Sequence, residues 1–139
     1  MAVMTVDERE KFLAEKRVGV LSIGRDGAAP LAVPVWYDYE PGGELLIWMD
    51  RGSAKDRAIE ASGKLSLTVQ QETQPYKYVT VSGPVVDRSA PPTEEQALAI
   101  ASRYAPEAEA RQFVAGSLKE TSVLVRVRTE RWLSSDHSK

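Results

Sequence analysis

Six runs rich in β-branched and apolar residues, separated by glycine turns, set what this chain of 139 residues can become. Val18-Gly19-Val20-Leu21-Ser22-Ile23 reads as a buried strand. Arg25-Asp26-Gly27 then supplies a hairpin turn into a second strand from Pro30 to Tyr39, whose V-x-V-x-Y alternation keeps proline where no backbone donor is needed. Glu40-Pro41-Gly42-Gly43 turns the chain into a third strand, Glu44 to Met49. Lys64 to Gln71 gives the fourth strand and Tyr76 to Arg88 a long fifth. Thr121 to Leu133 reads as the sixth, with Val123, Val125 and Val127 alternating against Leu124, Arg126 and Arg128.

Four helical segments lie among these strands. Thr5-Val6-Asp7-Glu8 has the capping-box pattern and starts a helix over residues 5–15. A second helix runs from Ser53 to Ala61 and stops at Gly63. Pro91-Pro92-Thr93 opens a third, with Ala97, Leu98, Ile100 and Ala101 near one face. A fourth follows Pro106 through Phe113 and Val114 to Gly116. The expected fold class is mainly β (α+β): a six-stranded antiparallel barrel with peripheral helices, one domain over residues 1–139, which the resemblance given below makes a split β-barrel.

The composition removes several chemistries. There is no cysteine, and the one histidine, His137, lies close to the C-terminal end. Disulfides, thiolate nucleophiles, Fe–S clusters and common zinc sites are therefore out, and a Ser–His triad has no placed base. A net charge of −2 without a long basic run argues against nucleic acid as a partner. No apolar run is long enough for a membrane span and no signal peptide is evident, so the expected location is the cytoplasm. A domain this small would bury a cofactor most readily with a second subunit.

The turn Arg51-Gly52-Ser53-Ala54-Lys55 opens the second helix. Backbone N–H groups there lack intrahelical partners and present the positive end of the helix dipole, which suits a phosphate. Ser53 adds a hydroxyl, Lys55 an ammonium, and Arg51 or Arg57 a planar guanidinium.

Taken in order, the D-G turn, the P-V-W-Y strand, the G-G turn, the R-G-S-x-K turn and the Y-x-Y-V-x-V-x-G strand resemble the pyridoxamine 5′-phosphate oxidase-like superfamily of flavin and deazaflavin split β-barrels. The resemblance covers residues 16–88, with a weaker echo at Trp132. It implies a cofactor ring lying along Val33, Pro34, Val35 and Trp36, with Trp48 and Met49 at the end of the third strand. It also implies a phosphate on Gly52-Ser53-Ala54-Lys55, where Ala54 replaces the arginine of the family's G-S-R-K turn and Arg51 or Arg57 would compensate. Tyr78 matches a polar residue that reaches the ring or ribityl chain and is a possible proton donor. Trp132 resembles a tryptophan that the partner subunit contributes.

The R-L-H-D-R segment of the true oxidases is missing, since this chain ends W-L-S-S-D-H-S-K, which disfavours vitamin B6 oxidation. The P-V-W-Y and P-Y-K-Y patterns look more like the actinobacterial branch that uses coenzyme F420, an 8-hydroxy-5-deazaflavin with a phospholactyl-oligoglutamate tail. The resemblance thus implies a homodimer, with the cofactor at the interface, that passes a hydride from reduced F420 to a small conjugated acceptor. FMN is the alternative cofactor, and a non-catalytic carrier is the alternative class. Because the cofactor bears the hydride, no residue is assigned as catalytic beyond Tyr78.

Overall fold

The spine of the fold is its longest strand, β5 (Lys77–Asp87), in a computed structural model that describes residues 2–139. One edge of β5 pairs with β4 (Lys64–Gln71), from Lys64 opposite Pro84 to Gln71 opposite Lys77. The other edge is divided between two strands. Residues Lys77 to Ser82 pair with β7 (Arg131–Asp136), whereas Val85 and Asp87 pair with β6 (Ser122–Val127). Beyond β4 come β1 (Gly19–Ile23) and β2 (Leu31–Val35), and beyond β6 comes β3 (Leu45–Asp50). Every pairing is antiparallel, and the order is β2-β1-β4-β5-β6-β3, with β7 on β5.

The expected split-barrel class is the observed one, and the seventh strand arises by division of the run from Thr121 to Leu133. At residues 128–130 the chain crosses over β5. The Arg128 N–H donates to the Pro84 carbonyl at 3.1 Å and the Glu130 N–H to the Ser82 carbonyl at 3.0 Å. Gly83 lies beneath this corner, and a Cβ there would sit 1.8 Å from the Arg128 carbonyl oxygen. Only glycine permits so close an approach of two backbones.

Four helices decorate the sheet: α1 (Val6–Ala14), α2 (Ala54–Ser62), α3 (Glu94–Ala101) and α4 (Glu107–Ser117). Both Thr5 and Thr93 form complete capping boxes, so local sequence sets where α1 and α3 begin. The barrel interior is filled by the inward-facing residues of the strands, among them Leu21, Ile47, Leu67, Val81 and Val125, with Phe12 and Leu13 of α1 packed against them. Tyr37 is fully buried and its hydroxyl donates to the Leu13 carbonyl at 2.6 Å. Burial pushes that hydroxyl's pKa well above its ordinary value, with the nearby Tyr104 adding to the rise. A second, smaller apolar cluster joins α3 and α4 through Ala97, Ala101, Ala110 and Val114, and Trp36 and Trp48 pack onto it. Among the described residues no helix is long and apolar enough to cross a membrane.

Candidate functional site

The run from Pro30 to Tyr39 does not remain one strand. Its ladder with β1 ends at Val35, and farther on Asp38 forms a single bridge with Leu46 of β3, exchanging backbone hydrogen bonds of 3.0 and 2.9 Å. Continued in the same register, that bridge would place Trp36 opposite Trp48 and Pro34 opposite Asp50. Pro34 has no N–H to give such a ladder. The two strands instead part, and the split between them opens into a cleft of about 590 Å³. This is an ordinary volume for a site that takes a small organic molecule.

Pro34, Val35 and Trp36 form one wall of the cleft, and Trp48, Met49 and Asp50 another. Ile100, Phe113, Gly116, Ser117 and Lys119, from α3, α4 and the loop beyond, complete it. The Trp36 ring stacks on Tyr104 with centroids 5.0 Å apart and planes 8° from parallel, and Phe113 lies 5.1 Å from Trp36 and 5.6 Å from Trp48. This stacked, tilted and edge-on packing joins the rings into an apolar wall. Tyr104 is held in turn by its hydroxyl, which donates to the Arg17 carbonyl at 2.7 Å. Arg103 ties the same corner to the end of α1 through the Ala14 and Glu15 carbonyls, each at 3.0 Å.

The other end of the cleft is polar. Ser53 is the N-cap of α2, and its hydroxyl accepts from the Asp56 N–H at 3.3 Å. Gly52 turns the chain into the helix at a φ of 82°, a left-handed conformation that glycine adopts without strain. Asp56 folds back beneath the turn: one carboxylate oxygen accepts the Gly52 N–H at 2.9 Å and the other meets Arg88 Nη1 at 2.7 Å. The protein's own carboxylate thus takes part of the helix-start donor set. The first two helical N–H groups, of Ala54 and Lys55, have no acceptor among the described residues. Lys55 and Lys119 line this end, and neither forms an ion pair among the described residues.

Of the residues singled out in the sequence, the cleft gathers Pro34, Val35, Trp36, Trp48, Met49, Ser53 and Lys55. Val33 is not among them; it points inward against the barrel core, as strand alternation requires. Arg51 is exposed and does not line the cleft, while its N–H donates to the Thr121 carbonyl. Ala54 and Arg57 face a separate groove between α2 and the β1–β2 turn, together with Arg25 and Lys64. The proposed compensation by Arg51 or Arg57 therefore finds neither guanidinium in the cleft. Tyr78 stands at the far side of the sheet, beside Tyr76 and His137. Trp132 faces Tyr39 edge-on at 6.3 Å and lies under the Arg9 guanidinium, away from the cleft.

A family model for pyridoxamine 5′-phosphate oxidase matches residues 5–132. The chain belongs to the pyridoxamine 5′-phosphate oxidase family. Solved structures agree on the split barrel. An F420 reductase is 24% identical over 89% of this chain and 94% of its own, with a TM-score of 0.70. A FAD-binding protein from Mesorhizobium loti is 22% identical over 96% and 93%, with a TM-score of 0.68. A conserved hypothetical protein from Mycobacterium tuberculosis is 21% identical over 97% and 86%, with a TM-score of 0.74. A comparison with curated protein sequences finds no match. The pyridoxamine 5′-phosphate oxidase family is oxidoreductase-like, and these neighbours share its fold.

For this member of the pyridoxamine 5′-phosphate oxidase family, sequence reasoning missed the part of the cleft built by α3 and α4. Phe113 was legible only as an apolar position on a helix, and Tyr104 and Lys119 carried no local pattern. Their place follows from docking of the helical pair on Trp36 and Trp48, a long-range contact that no periodicity reports.

Proposed function

We propose that the chain is a homodimeric oxidoreductase that uses reduced coenzyme F420 to reduce a small conjugated organic acceptor. The observation that carries this reading is the polarity of the cleft: an aromatic and aliphatic slot at one end, and at the other two helix-start N–H groups and Lys55, all without partners among the described residues. That division matches a flat tricyclic ring with an anionic arm. Ala54 and Lys55 N–H, the Ser53 hydroxyl and the Lys55 ammonium would hold the arm. The backbone edge of β2 at Pro34 and Trp36, left without a strand partner by the split, would lie against the ring. When bound, the reduced deazaflavin supplies the hydride. The protein's part is to seat the ring, leave one face open and keep water off it with Trp36, Trp48, Met49 and Phe113.

Likeness to the F420 reductase favours the deazaflavin, and FMN in the same cleft is the second reading, favoured by the FAD-binding relative. The dimer rests on the outward face of the sheet. One row across it reads Pro34, Val20, Thr68, Thr80, Leu133 and the next Ala32, Ser22, Ser66, Ser82, Arg131, so a single charge interrupts ten positions. Val20 and Leu133 are 45% and 59% exposed there. Pro34 and the exposed Val18 belong also to the rim of the cleft, so a second copy on this face would complete its wall. Tyr78 lies at the opposite side of that face, so any contact it makes with the ring comes from the partner copy.

The test is fluorescence titration of purified protein with F420 and with FMN, followed by turnover of the reduced form of each against a panel of quinones and enones. Tighter binding of F420 and acceptor-dependent oxidation of its reduced form are expected. Binding of FMN alone would move the assignment to a flavin enzyme, and binding of neither would end it.

A further inference from the structure

A second cation reaches the polar end of the cleft from another part of the chain. Lys119, in the loop between α4 and β6, lines the cleft together with Ser53 and Lys55. Asp50 and Ser122 are register partners at adjoining ends of β3 and β6, so the turn into α2 and the loop of Lys119 stand side by side. The Arg51 N–H donates to the Thr121 carbonyl at 2.7 Å and joins the two. Below Lys119, its own N–H donates to Ser122 Oγ at 3.0 Å and the Ser122 N–H returns to the Lys119 carbonyl at 3.0 Å, with Ser122 fully buried. The backbone is therefore held while the side chain stays exposed. Asp50, the carboxylate of the same cleft, is ion-paired with neither lysine. Position 54 offers only a methyl group, and Arg51 and Arg57 lie elsewhere.

Resting on the reading of the cleft given above, we propose that Lys119 is the second cationic ligand of the cofactor's arm, supplying from the β6 side the charge that Ala54 does not. Two ammonium groups select an arm with at least two negative charges: a phosphomonoester dianion, or a phosphodiester that continues into a carboxylate. An arm with one charge or none forgoes one or both contacts. Lys119 is thus a specificity-determining residue for the arm and leaves the ring's own affinity untouched.

The experiment measures dissociation constants for two pairs of ligands that differ only in the arm: FMN against riboflavin, and F420 against its tail-free analogue, the 8-hydroxy-5-deazaflavin that keeps the ribityl chain. Wild type, Lys119→Ala and Lys119→Arg are compared at low and high salt, after thermal melts establish equal folding. In Lys119→Ala the arm-bearing ligand should bind about tenfold or more weakly, while the arm-free ligand is unchanged. The salt dependence of the arm-bearing ligand should fall, and Lys119→Arg should recover most of the affinity. A wild-type preference for the arm that survives intact in Lys119→Ala overturns the role of Lys119 and leaves the reading of the cleft standing. No preference for the arm in wild type overturns both.

Discussion

Replacing Arg88 with methionine should damage the protein out of proportion to its place at the surface. The Arg88 side chain is 26% exposed, but its partner Asp56 is almost wholly enclosed, at 4%, and the two meet at 2.7 Å. Removing one member of a buried pair costs roughly 3–5 kcal/mol, because the remaining charge loses its compensation. Asp56 keeps the Gly52 N–H, and water reaches the vacated side, which lowers the expected cost of Arg88→Met to about 2–3 kcal/mol. For a chain of this size that is a fall in Tm of about 10 °C. The companion Asp56→Asn retains an acceptor for Gly52 while removing the charge, so the double variant Asp56→Asn/Arg88→Met should be more stable than Arg88→Met alone. Urea unfolding of the four proteins in the cycle gives the coupling, expected at about 1–2 kcal/mol. Strictly additive losses, or an Arg88→Met variant within about 0.5 kcal/mol of wild type, would refute the claim that this pair underlies the turn.

Lys55→Ala should weaken binding of FMN or F420 by about 1.5–3 kcal/mol, measured by fluorescence titration, since it removes a charge-assisted contact. Gly83→Ala should unfold the protein or lower its stability by more than about 3 kcal/mol in a denaturant melt, because the added methyl has a backbone carbonyl 1.8 Å away. The Ser138 hydroxyl and amide hold the Asp136 carboxyl below its ordinary value of 3.8, so its contribution is present above that pH and lost as pH falls through the lower folded-state value. Asp136→Asn should therefore flatten the acid limb of the stability profile below about pH 4, read by thermal melts across pH.

Much of this fold is local and was legible. The capping boxes at Thr5 and Thr93, the glycine stop at Gly63 and the period-2 alternation of the strands each act within a few residues. The capped helix start at Ser53 and Lys55 was legible for the same reason, because a helix start and its cap are written in five consecutive residues. Three features were not. The break after Val35 depends on which neighbour β2 lacks, and the break at residues 128–130 depends on Gly83 lying beneath it, some 45 residues earlier. Glycine at position 83 was visible, but its meaning was not, since only the crossing chain shows why a side chain is excluded. The contribution of Lys119 depends on β6 pairing with β3, a long-range register that local pattern does not contain.

A crystal structure of the protein soaked with F420 locates ring and arm together. The tricyclic ring is expected in the split between β2 and β3, against the Pro34–Trp36 edge, with phosphate oxygens within hydrogen-bond reach of the Ala54 and Lys55 amides. A ring bound on another face, or an arm directed away from the start of α2, would overturn the assignment of the cleft.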